Sequence, residues 1–212
     1  MRSLLSAAKA GAAAATQMIW LPGAYQSPRD FLQAGFAQAV TDRYTPLDLT
    51  FIDLEMQHLA DRGALQRLRF DIVLPALASG ASVWLAGISL GGSLALDYAS
   101  SYPDALAGLF LVAPYLGNRM LIAEIAAAGG LAAWEPGELA EADSERRLWR
   151  HLKTRALTPS VFLGYGRDDR FSSAHSLLAT ALPPEAIDVI EGGHEWGTWS
   201  KLWENFLDSR FK

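Results

Sequence analysis

The segment Gly87-Ile88-Ser89-Leu90-Gly91-Gly92 places a hydroxyl among residues with almost no bulk. A serine with glycines two positions before and after it can occupy a tight strand-to-helix turn and project its Oγ at a helix N-terminus, where larger neighbours would collide with backbone. A serine hydroxyl is a poor nucleophile unless an imidazole takes its proton and a carboxylate orients that imidazole. The chain has four histidines. His58 follows a strand edge among polar residues, His151 lies in a charged helical stretch, and His175 sits beside Ser176 in a helix. Each of these three reads as a surface or hydrogen-bonded polar residue. His194 differs, because Glu191-Gly192-Gly193-His194-Glu195-Trp196 is a loop immediately beyond the last apolar strand and can carry the ring back over a sheet edge. For the carboxylate, Gly164-Tyr165-Gly166-Arg167-Asp168-Asp169 follows the preceding strand, and either aspartate can reach the histidine loop. Together these residue types make the apparatus of acyl transfer through a serine.

Those residues need a scaffold that brings loop after loop to one edge. The apolar runs Met18–Leu21, Leu47–Leu54, Ser82–Ile88, Leu106–Ala113, Ser160–Gly164 and Ala186–Ile190 read as strands. Between them lie helical patterns: one opening at Ser27-Pro28 with Phe31, Leu32, Gly35, Phe36 and Ala39, then Arg62–Leu77, Gly91–Ser101, Ala174–Ala181 and Trp199–Leu207. Short apolar strands alternating with helices predict an α/β fold, a three-layer α/β/α sandwich around a mostly parallel sheet of about six strands. Residues 118–156 break the rhythm, with a helix over Arg119–Ala128, a Gly129-Gly130 break and a charged helical stretch over Glu138–Lys153. They read as a small helical lid inserted in a single domain spanning 1–212. Trp134, Trp149, Trp196 and Trp199 read mainly as packing residues, and the Trp199-Leu202-Trp203-Phe206-Leu207 pattern as helix burial.

On the G-x-S-x-G turn, the later acid loop and the last histidine loop, the chain resembles the α/β-hydrolase superfamily over roughly residues 17–209. The resemblance implies the chain order serine, acid, histidine, and its G-x-x-D acid loop selects Asp169, counted from Gly166, over Asp168. It implies an oxyanion site of two backbone N–H groups, that of Leu90 after the serine and that of Ala24 in Leu21-Pro22-Gly23-Ala24-Tyr25, with Tyr25 an alternative donor. Pro22 stands where the family often has histidine. The superfamily's first two strands are missing from the pattern, and the size resembles compact bacterial carboxylesterases and thioesterases. The implied activity is hydrolysis of a carboxylic ester through an acyl-enzyme, with a thioester as the alternative substrate and Tyr25 and Tyr115 as candidate pocket lining. The implied partner is a small-molecule acyl ester or thioester. A rival of another class is a hydrolase-like protein that binds without turnover.

Composition bounds these expectations. The 212 residues carry a formal charge of −5 and no long basic run, which argues against nucleic acid as a partner. There is no cysteine, which removes disulfides and thiolate chemistry. Asp53, Glu55, His58 and Asp61 lack a recognisable ligand spacing and read as a polar loop, and neither a dinucleotide nor a Walker motif occurs, so no metal or cofactor is expected. The start, MRSLLSAAKAGAAAATQ, reads as a loose tail or short helix rather than a leucine-rich leader, and no run approaches the roughly 20 apolar residues of a membrane span. A soluble, cytoplasmic protein is the expectation.

Overall fold

The computed structural model describes residues 2–6, 15–54, 63–102, 105–140, 143–154 and 160–211. Among them seven strands form one sheet in the order β1-β3-β2-β4-β5-β6-β7: β1 Arg2–Ser6, β2 Thr16–Leu21, β3 Leu47–Asp53, β4 Ser82–Ile88, β5 Gly108–Val112, β6 Ser160–Gly166 and β7 Ile187–Ile190. The last six are parallel, as their alternation with helices requires. β1 corrects the sequence reading. Its residues pair antiparallel with β3, Arg2 opposite Asp53 and Ser6 opposite Leu49, where a loose tail or short helix was expected. Five residues are too few for a periodicity to show, and it is the open edge of β3 that supplies their hydrogen-bond partners.

The strands alternate their side chains between two cores. Met18 and Trp20 of β2 face one side, with Phe110 and Val112 of β5, while Ile19 and Leu21 face the other with Leu109 and Leu111. On the first side lie α1 (Pro28–Gln33), α2 (Phe36–Asp42) and α8 (Trp196–Arg210). On the second lie α3, which runs from Gly63–Arg67 through a π-helical stretch Leu68–Val73 into Leu74–Ala78, then α4 (Leu90–Ser101), α5 (Arg119–Ala127), α6 (Ser144–Thr154) and α7 (Ser172–Ala179). The sequence pattern read α1 and α2 as one helix. Gly35, with φ 82°, breaks it. The break keeps Phe31 and Phe36 together against Trp20, ring centroids 5.6 and 4.8 Å away, and leaves Leu32 exposed rather than buried.

The first core is largely aromatic. Trp203 meets Trp20 edge to face at 5.1 Å and donates its indole N–H to Phe36 O at 3.0 Å. On the second side Trp134 and Trp149 are buried within the 118–156 segment, the first donating to Glu124 and the second to Leu116 O at 2.6 Å. All these tryptophans pack, as expected. His58, Glu55 and Asp61 lie outside the described residues, and Asp53 is exposed. No helix among the described residues is long and apolar enough to cross a membrane.

Strand order also decides where the loops meet. The chain leaves β2 toward β3 on one side and returns to β4 on the other, so the loops after β2 and β4 diverge at the C-terminal edge and leave a crevice there. Because Trp203 ties α8 to both Trp20 and α2, Trp203→Ala should cost roughly 3–5 kcal/mol, read as a lowered urea midpoint at unchanged slope.

Candidate active site

Ser89 stands at that crevice, between β4 and α4, with φ 53° and ψ −114°. Such a conformation is costly for a residue with a Cβ and persists only where its surroundings hold it. Three glycines make room. A Cβ on Gly87 would lie 2.3 Å from Gly91 C, one on Gly91 2.1 Å from Leu21 O, and one on Gly92 2.8 Å from Pro114 Cβ. Backbone bonds then fix the turn: Ser89 N–H donates to Val112 O at 3.0 Å, while Ser89 O accepts from Gly92 N–H at 3.0 Å and Tyr115 N–H at 2.9 Å.

His194 comes to Ser89 from 105 residues away, its Nε2 3.1 Å from Ser89 Oγ. Its Nδ1 lies 2.7 Å from Asp169 Oδ2. The carboxylate can only accept, so Nδ1 carries the proton and Nε2 presents a lone pair to the serine hydroxyl. The ring is held edge to face between Phe171 at 5.2 Å and Trp199 at 5.0 Å. Asp169 is 2% exposed, and its second oxygen accepts Phe171 N–H at 2.8 Å. Burial alone would push this carboxyl up, but the bonds from His194 and Phe171 together hold it below the ordinary carboxylate value.

The acid and base loops are joined by backbone. Asp168 N–H donates to Gly192 O at 3.0 Å and Arg167 N–H to Ile190 O at 2.9 Å. Gly166 permits this approach, since a Cβ there would meet Gly192 O at 2.1 Å. Asp168 itself is exposed, and Asp169 is the aspartate brought to the imidazole.

Leu90 opens α4, where an N–H has no carbonyl four residues back to bond. Leu21 and Pro22 press against Gly91, and Ala24 follows them. Tyr25 is 92% exposed at φ 59°. Tyr115 packs edge to face on Phe171 at 5.6 Å and donates its phenol to Glu145 Oε1 at 2.8 Å; burial, then this bond, pushes the phenol up to about 12. Glu145 Oε2 accepts from both Asn118 N–H and Asn118 Nδ2, so one carboxylate of α6 anchors the loop after β5.

No protein-family model matches the chain, and no curated protein matches it by sequence. Solved structures do. A fluorophosphonate-binding serine hydrolase F of Staphylococcus aureus superposes with a TM-score of 0.68 at 12% identity, over 93% of this chain and 84% of that one. Est1E of Butyrivibrio proteoclasticus gives 0.66 at 16%, over 98% and 93%. A monoacylglycerol lipase of Paleococcus ferrophilus gives 0.61 at 16%, over 99% of both chains. The chain has the α/β-hydrolase fold. Within it Ser89, His194 and Asp169 hold the geometry of a Ser-His-Asp triad, each in the loop at the end of its own strand, after β4, β7 and β6.

Sequence reasoning missed two supports of this site. Phe171 was unassigned, although its position two residues after the acid places it over the imidazole. His175, expected either at the surface or hydrogen-bonded, is hydrogen-bonded and wholly buried, with Nε2 2.9 Å from Pro114 O and Nδ1 unpartnered, and its place beside the site was not read. Its spacing to Leu178, also buried, was the available signal. No group of three or more potential metal-ligating side chains occurs among the described residues.

Burial lowers the His175 pKa from 6.5 to about 4. The unfolded chain therefore takes up a proton below pH 6.5 that the folded chain refuses until about pH 4. Stability is full above pH 6.5 and declines toward pH 4, by up to roughly 3 kcal/mol. His175→Gln, which does not titrate, should flatten the loss between pH 7 and pH 5 in urea unfolding relative to wild type.

Proposed function

We propose that this chain is a serine hydrolase that cleaves a carboxylic ester through an acyl-enzyme. One observation carries the reading: a serine held in a strained turn, 3.1 Å from an imidazole whose other nitrogen is bonded to a buried carboxylate. A structural histidine would not need a sealed acid behind it and a hydroxyl in front of it.

The steps follow from where protons can go. His194 Nε2 takes the Ser89 proton as Oγ attacks the ester carbonyl, and Asp169 stabilises the imidazolium while fixing its orientation. The carbonyl oxygen becomes anionic, and the Leu90 and Ala24 N–H groups are the donors assigned to it. The α4 N-terminus adds its positive end to the same point. The imidazolium then protonates the departing alcohol, and water activated by the same imidazole releases the acid.

Tyr115 and Tyr25 are assigned to the acyl pocket, Tyr115 because its ring abuts Phe171 beside the imidazole. Residues 118–156 are assigned as the cover of this pocket, a reading supported by the grip of Glu145 on Tyr115 and Asn118. The oxygen ester is our assignment: structural neighbours carry the names ferulic acid esterase and monoacylglycerol lipase, beside an S-formylglutathione hydrolase, whose substrate is a thioester.

Wild-type protein should label stoichiometrically with a fluorophosphonate in intact-mass analysis, and Ser89→Ala should not label. Ser89→Ala and His194→Ala should each lower kcat on a chromogenic ester by about 10⁴-fold or more, and Asp169→Asn by a similar order. A folded, accessible wild type that does not label would replace this reading with a binding role. Matched p-nitrophenyl and thiol esters of one acid should give the higher kcat/KM for the oxygen ester; the reverse ranking would make the chain a thioesterase.

A further inference from the structure

Among the described residues, His175 is the one buried histidine that the steps above leave idle. It is the fourth residue of α7, the helix that follows the acid loop, and its side chain crosses to the loop after β5. The Pro114 carbonyl can only accept, so His175 Nε2 carries a proton and donates it at 2.9 Å. What it grips is the segment that holds the nucleophile. Val112 O receives Ser89 N–H, and Tyr115 N–H donates to Ser89 O, one residue to either side of Ala113 and Pro114. Ser93 Oγ closes the same turn on Tyr115 O.

That turn is under strain. Ala113 has φ 45°, a conformation unusual for a residue with a Cβ, and Ser89 opposite it has φ 53°. Two strained residues facing one another need a restraint from outside the turn. Ala113 N–H donates to Gly164 O of β6 at 2.8 Å, and Pro114, which has no N–H, adds its carbonyl as a second handle. At its other end His175 N–H bonds Phe171 O at 3.1 Å, and Phe171 in turn gives its own N–H to Asp169 and its ring to His194.

Resting on the reading of Ser89 as nucleophile, we propose that His175 is a positioning residue that ties the acid–base loop to the Ala113–Tyr115 turn and so sets the distance between His194 Nε2 and Ser89 Oγ. It touches no reacting atom. Its role is to keep two loops from different strands in one register, because a displacement of about 1 Å at a reacting centre can cost on the order of a hundredfold in rate.

The test uses the full-length chain with His175→Phe, which fills the site without a donor, and His175→Gln, which can return an N–H to Pro114 O. Each is assayed at pH 7.5 and 25 °C for kcat and KM on a chromogenic ester and for its second-order rate of fluorophosphonate labelling, with folding verified by circular dichroism. His175→Phe should lower kcat and the labelling rate by about ten- to a hundredfold with KM changed by less than about threefold, and His175→Gln should recover to within about threefold of wild type. Should His175→Phe not fold, His175→Asn, polar but too short to reach Pro114 O, takes its place with the same expected loss. A folded His175→Phe or His175→Asn with wild-type kcat overturns the proposal, as does a folded His175→Gln no faster than the donorless variant. A wild type that neither turns over nor labels overturns the hydrolase reading instead, so the two failures are distinguishable.

Discussion

The approach of Gly91 to the carbonyl of Leu21 is the contact on which the chemistry of this chain depends. Backbone meets backbone at a distance that no side chain could occupy, since even a methyl group would lie 2.1 Å from that oxygen. It brings the loop after β2 against the first turn of α4 and forces Ser89 into its strained conformation. Repulsion does the positioning here as much as attraction: the glycines set how closely segments pack, and the hydrogen bonds to Val112 O and from Tyr115 N–H hold them there.

The two cores serve this arrangement differently. Beneath α1, α2 and α8 the sheet is covered by interlocked aromatic rings, a rigid layer that carries α8 and with it Trp199, one wall of the imidazole site. On the opposite side aliphatic residues dominate, and polar bonds are spent where loops must be aimed. Glu145, Trp149, Ser93 and His175 all bond within the stretch Pro114–Asn118. The loop after β5 is thus held from α4, α6 and α7 at once, and it holds Ser89 in turn. Ion pairs between α5 and α6, such as Arg146 with Glu124, draw the Glu124 carboxyl down to about 2 but lie in solvent and contribute little to stability.

Much of this was legible from residue types. The strand-turn-helix around Ser89 is a local steric statement, and β4 runs over the residues its apolar pattern marks, Ser82–Ile88. The parallel sheet follows from the alternation of apolar runs with helices. Where the reading faltered, the information was not local. β1 exists because β3 has an open edge, which no feature of Arg2–Ser6 announces. The break at Gly35 was hidden because the residues on either side of it keep a helical spacing on paper.

By itself, the sequence determined the nucleophile turn and the α/β architecture, because these rest on sterics and periodicity within a few residues, while the order of serine, acid and histidine was implied by resemblance. The G-x-x-D resemblance pointed to Asp169, and the tertiary structure brings it, rather than the exposed Asp168, to His194; only the tertiary structure decided that His175 lies buried against Pro114, 61 residues away. Neighbouring aspartates have the same chemistry, and a helical histidine has the same propensity wherever its side chain ends. What separates them is which other segment arrives alongside, and that is settled by the packing of the whole sheet.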